Sequence, residues 1–162
     1  MKSGIITILD GMPKLLKSMK EFPKHDVLIG IPEDRTKREE GDPISNAAIG
    51  YIAETGAPER NIPQRAWLVP AIKGAKVPIS KYMKQAGKAL LDGKLSVCDK
   101  ALNAAGLVGQ AAARNEINTG SFQALAAATI RARQRRGRTG TKPLIDTGQF
   151  RNSVNYVVRG AK

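Results

Sequence analysis

The residues of this chain whose types could carry catalysis are few: one thiol, Cys98, one imidazole, His25, and three neighbouring carboxylates, Glu39, Glu40 and Asp42. A nucleophile needs a base held beside it. His25 stands between Lys24 and Asp26, just ahead of an apolar run, and reads as a solvent-exposed side chain. Cys98 falls at the start of a predicted helix, where the helix dipole could lower its pKa, but a small, partly buried side chain is the simpler reading. One cysteine cannot close an internal disulfide, and one cysteine with one histidine cannot build a Cys/His zinc cluster. The three carboxylates lie in a stretch with no apolar side chain to fix them, and catalysis requires fixed geometry. Gly4, Gly11, Gly30 and Gly56 do not have the spacing of a phosphate-binding loop. The expectation is a protein that is not an enzyme and holds no cofactor and no metal.

Binding chemistry is better represented. The chain has 162 residues and a formal charge of +13. Its acidic residues are concentrated before position 60 and its basic residues after it. Such a basic rear attracts nucleic acid or an acidic protein surface. Arg131, Arg133, Arg135, Arg136, Arg138 and Lys142 cluster around glycines, a composition suited to backbone phosphates and to salt-sensitive, sequence-independent binding. A solvated loop that aids solubility is an equal reading. No aromatic is interleaved with these arginines, so base stacking is not indicated. Lys81, Lys84 and Lys88 form a second basic stripe.

These groups need elements to position them. Leu9, Met12, Leu16 and Met19 predict an N-terminal amphipathic helix that Pro13 begins or kinks. Residues 26–31 are apolar, rich in β-branched side chains and stopped by Pro32, which predicts a strand covered on both faces. Residues 33–42 read as a mobile loop. Ser45 is placed to cap a helix through residues 47–54 that Gly56 ends, and residues 57–66 form a proline-punctuated connector.

From Pro78, Ile79, Met83, Ala86 and Leu90 define the buried arc of a helix that carries the lysine stripe on its other side. A second long helix is predicted over residues 96–117, with Gly106 and Gly109 placed where another backbone approaches closely. Residues 121–133 predict a shorter helix, and 134–142 a second exposed, mobile loop. Asp146 with Gln149 resembles a capping box opening a short helix, and alternation at Val154, Tyr156 and Val158 predicts a final strand. The fold class expected is α+β: one domain over 1–162, a small β-sheet packed against several helices, two of them long and antiparallel, with polar mobile loops. Aromatics are only 4% of the chain, so its core must rest on aliphatic residues and alanine. No run approaches the roughly 20 apolar residues of a membrane span, and Asp10 and Pro13 interrupt what a signal peptide would need. A soluble protein made in the cytosol, without a membrane partner, is expected.

Two phrases carry more specific information: Ile62-Pro63-Gln64-Arg65-Ala66-Trp67-Leu68-Val69-Pro70-Ala71-Ile72, and Pro143-Leu144-Ile145-Asp146-Thr147-Gly148-Gln149-Phe150. Trp67 reads as a core anchor for the connector, with a subunit-interface hot spot as the minority reading. With the strand ending in Ile31-Pro32-Glu33 and the helix from Asn46 to Pro58, these phrases resemble the tail-component and virion-morphogenesis proteins of tailed bacteriophages over residues 27–158. Here Ala66-Trp67 stands where that family has Pro-Phe, Thr55 where an aromatic precedes the glycine, and Phe150 where leucine is usual.

The resemblance implies an architectural protein of the neck or upper tail, in a ring of identical subunits that joins the DNA-filled head to the tail. Ile62, Pro63, Arg65, Trp67, Leu68, Pro70, Asp146, Thr147, Gly148 and Phe150 would be its structural motif residues. Partners would be other copies of the chain, neighbouring neck, connector and tail proteins, and packaged double-stranded DNA. Its location would be the virion, after assembly in the host cytoplasm. The alternatives are a free, basic nucleic-acid-binding module and an assembly factor absent from the particle.

Overall fold

The computed structural model describes residues 11–21, 24–32 and 44–160. Leu9 and the stretch 33–42 therefore lie outside the described residues. In chain order the elements are α1 (Met12–Glu21), β1 (Asp26–Gly30), α2 (Asn46–Thr55), α3 (Val69–Gly74), α4 (Lys76–Leu91), α5 (Leu95–Thr119), α6 (Ala127–Arg135), α7 (Gln149–Ser153) and β2 (Asn155–Arg159). The class is α+β, as expected. Pro13 lies in the first turn of α1, where a missing N–H costs nothing.

The long helices α4 and α5 form an antiparallel hairpin closed by a three-residue turn. Ala86, Ala89 and Leu90 of α4 pack on Cys98, Ala101 and Leu102 of α5, with Met83, Val27 and Val158 at the margin. Alanine predominates in this seam, so the helices approach closely. Cys98 is 1% exposed, and burial pushes its thiol pKa up, with Asp99 adding to the shift, so the helix-start position does not activate it.

β1 and β2 pair antiparallel, Val27 opposite Val158, Leu28 opposite Val157 and Ile29 opposite Tyr156. One face lies on α5. A Cβ built at Gly106 would come within 2.2 Å of the Tyr156 ring, and one at Gly109 within 2.2 Å of Ile29 Cδ1. These glycines thus admit side chains of the sheet, not another backbone. The other face is open, with Leu28 47% and Val157 42% exposed. Among the described residues the expected two-sided cover is not found: β1 pairs only with β2, and α5 covers a single side.

Two further expectations are corrected. The predicted helix over 121–133 begins only at Ala127: α5 runs to Thr119, and residues 121–126 form no helix, with Phe122 packed against the core. His25 is half-buried, and its Nδ1 has no hydrogen-bond partner among the described residues. Ser45 caps α2 as expected, its hydroxyl accepting the Ala48 N–H at 3.2 Å, and Gly56 ends that helix at φ 75°.

Candidate functional site

The first phrase is fastened to the end of α2. Pro63 follows the bridge that pairs Ile62 with Ala57, the Arg65 N–H donates to Ala53 O at 2.7 Å, and the Gln64 amide donates to Glu54 O at 2.8 Å. The Glu54 carboxylate then accepts three backbone N–H groups: those of Trp67 and Leu68 at 2.8 Å on Oε2, and that of Val69 at 3.0 Å on Oε1. Leu68, the residue before α3, has no side chain able to cap, and Pro70 follows in the first turn. Glu54 therefore supplies the missing cap from another helix and sets a negative charge at the positive end of α3. Sequence reasoning missed this role; the one available signal was a helix start with no Ser, Thr, Asp or Asn before it.

Arg65 turns the other way. Its Nε donates to Gln123 O at 2.9 Å and its Nη2 to Ala124 O at 3.1 Å. The guanidinium thus ties the connector to residues 123–124, which lie in a stretch outside any helix. Burial lowers the pKa of Arg65 from the ordinary arginine value.

Trp67 is 3% exposed and its Nε1 donates to Gly50 O at 3.0 Å. Its ring meets Phe150 of the second phrase edge to face at 5.3 Å. Ala53, Ala71, Ala113, Ile117 and Val154 complete the cluster around this pair. The structure places Trp67 in the core, the role favoured for it.

Asp146 does not make a capping box with Gln149. Its carboxylate lies 2.7 Å from Arg138, 3.5 Å from Arg133 and 4.0 Å from Arg136. α7 instead starts from Gly148 at φ 80°, with Thr147 Oγ1 accepting the Gln149 N–H at 3.3 Å. The competing arginines sit on α6 and just after it, and a carboxylate surrounded by guanidiniums gains more from them than from one amide.

The stretch 134–142 is therefore not a free loop. α6 ends in a Schellman turn: Arg138 N–H donates to Arg133 O, Gly137 N–H to Gln134 O, and Gly137 takes φ 72°. Arg133, expected to face DNA or a partner, is only 7% exposed. Its Nη1 donates to Gly140 O, Lys142 O and Ile145 O at 2.9–3.0 Å, gathering the segment around itself. Lys142 reaches back to Asn118 O. Arg131, Arg135 and Arg136 are exposed, Arg138 is half-exposed, and Lys81, Lys84 and Lys88 are exposed along α4. The side chains of Arg131 and Arg135 make no hydrogen bond or ion pair with another described residue. The structure thus divides the basic cluster into an internal scaffold, centred on Arg133, and a displayed set.

Among the described residues, no group of three or more His, Cys, Asp and Glu could hold a metal ion. No described helix is long and apolar enough to cross a membrane. No protein-family model, curated protein or solved structure matches this chain.

Proposed function

We propose that this chain is a structural protein of a tailed bacteriophage, one subunit of a neck or upper-tail ring that joins the DNA-filled head to the tail. The observation that carries the reading is the Trp67–Phe150 contact. The two phrases on which the resemblance rests meet in one cluster, and their polar groups are used internally, on helix ends and backbone carbonyls. Such residues hold a shape, and a shape with a displayed basic surface suits assembly. Partners in this reading are further copies of the chain in a closed ring, neighbouring neck, connector and tail proteins, and DNA in the ring lumen. The protein would reside in the virion after assembly in the host cytoplasm. Electron microscopy of lysates from the parent phage carrying an early stop codon in this reading frame tests it. Filled heads beside separate tails are expected; intact infectious particles would overturn the reading.

A second reading, a free nucleic-acid-binding module, is favoured by the arithmetic at Asp146: one carboxylate faces three arginines, with Arg131 and Arg135 displayed nearby. It predicts that the isolated chain binds a 20-base-pair duplex with an affinity falling steeply as salt rises.

A further inference from the structure

The outer surface of the α4–α5 hairpin carries a groove of ≈ 440 Å³. α4 contributes Tyr82, Gln85 and Ala89, α5 contributes Val97, Ala101 and Ala104, and Asp92 and Lys94 come from the turn between them. Within each helix these residues recur at three- and four-residue steps, so each helix turns one face towards the groove. Ala89, Ala101 and Ala104 keep its floor shallow, which lets another helix axis come close. On each helix the lining, Tyr82 to Ala89 and Val97 to Ala104, extends about 10 Å at the rise of an α-helix. That is the length of roughly two helical turns.

The charge around this floor is one-sided. Lys88 and Lys100 also line the groove, and Lys94 closes one end. The carboxylate among the lining residues is that of Asp92, and it lies 3.6 Å from Lys94. We infer that the groove is the docking site for an acidic amphipathic helix of a different protein, which completes a three-helix layer by seating apolar residues on the alanine floor and carboxylates against Lys88 and Lys100.

Two observations select this occupant. A second copy of the chain is a poor fit, because its described amphipathic helix α1 carries Lys17 and Lys20 and its α6 carries Arg131, Arg133 and Arg135. Either would set cation against cation. A nucleic-acid backbone is a poor fit too, because phosphates gain nothing from the apolar floor, and Tyr82, the one aromatic lining the groove, is half-buried. The inference goes beyond the ring reading and stands whether or not that reading holds.

The test uses the full chain and a fluorescein-labelled 14-residue synthetic helix with leucines at i, i+3, i+7 and i+10 and glutamates beside them. A scrambled peptide of identical composition, a lysine-for-glutamate peptide and a 20-base-pair duplex serve as comparisons. The acidic helix should bind best. Ala104→Trp, which fills the floor without changing charge, should weaken it by roughly tenfold or more. Lys88→Glu with Lys100→Glu, both exposed positions, should weaken it similarly and shift preference to the lysine peptide. Circular dichroism checks that both variants fold. No binding of the acidic helix, equal binding of the scrambled peptide, or indifference to Ala104→Trp would each overturn the proposal. So would a groove-dependent change in oligomeric mass, which would indicate a second copy, or duplex binding lost in Ala104→Trp, which would indicate nucleic acid.

Discussion

Trp67 and Phe150, far apart in sequence, lie with ring centroids 5.3 Å apart and planes at 79°. This edge-to-face pair joins the N-terminus of α3 to α7 inside one cluster. Trp67→Ala or Phe150→Ala should each cost about 3–5 kcal/mol. A double-mutant cycle should return about 0.5–1.5 kcal/mol of coupling between the two rings. Urea unfolding of the four proteins measures it, and strictly additive losses would mean that the contact contributes only buried area.

Glu54 holds three backbone N–H groups at the start of α3. Glu54→Ala should destabilise the chain by about 1–2 kcal/mol, as loss of a helix cap does. Hydrogen exchange should locate the effect, with the amides of Trp67, Leu68 and Val69 losing protection before those of α5. Unchanged protection at those three amides would contradict the assignment.

The basic cluster should separate into two behaviours. Arg133→Ser leaves the carbonyls of Gly140, Lys142 and Ile145 without their donor and should cost about 2–3 kcal/mol. Arg131→Ser with Arg135→Ser should leave stability within about 0.5 kcal/mol, as ordinary surface changes do. If the basic surface acts in head–tail joining, the double variant should impair it while remaining folded. Normal particle yields from that variant would exclude the surface from joining.

Gly106→Ala sets a methyl within 2.2 Å of the Tyr156 ring and should destabilise by about 1–3 kcal/mol. Gly74→Ala meets nothing within 4 Å and should be neutral or stabilising by up to about 1 kcal/mol. Thermal melts of the two variants, compared side by side, test the difference.

Asp26 and Arg159 form an ion pair across the ends of the paired strands, and the arginine's hydrogen bond lowers the aspartate's pKa from its ordinary 3.8. A carboxyl held lower in the folded state stabilises it above the unfolded pKa, and that contribution disappears as pH falls through the folded value. Asp26→Asn should thus be less stable than the native chain at neutral pH, and the difference should begin to shrink near pH 3.8 and disappear once pH is below the lower folded-state value. A difference that persisted in acid would point to packing instead. Both side chains are well exposed, so the effect should also shrink in high salt.

Much of this architecture could be read from periodicity. The arc of Ile79, Met83, Ala86 and Leu90, the Ser45 cap and the final alternation at Val154, Tyr156 and Val158 each state a local rule that the fold obeys. What could not be read was supplied from a distance. The cap on α3 comes from Glu54, 13 residues before Trp67. The non-helical run at 121–126 is tied down by Arg65, 58 residues before Gln123. Arg133 looks like its exposed neighbours in sequence, and only the convergence of three carbonyls distinguishes it. Apolar residues in a strand say that burial is favourable, not which face receives cover, which is why the exposure of Leu28 could not be read.

The pairing of β1 with β2 also has a consequence for how the chain reaches this state. Asp26 and Arg159 are 133 residues apart, so bringing them together costs about 4 kcal/mol of loop entropy if nothing between is ordered. The α4–α5 hairpin needs only a three-residue turn. Distance along the chain therefore predicts an order of events: the hairpin condenses early, which shortens the effective loop, and the two-stranded clasp closes late. That clasp should be the first element to open under denaturant, releasing both flanks of the domain while the hairpin persists.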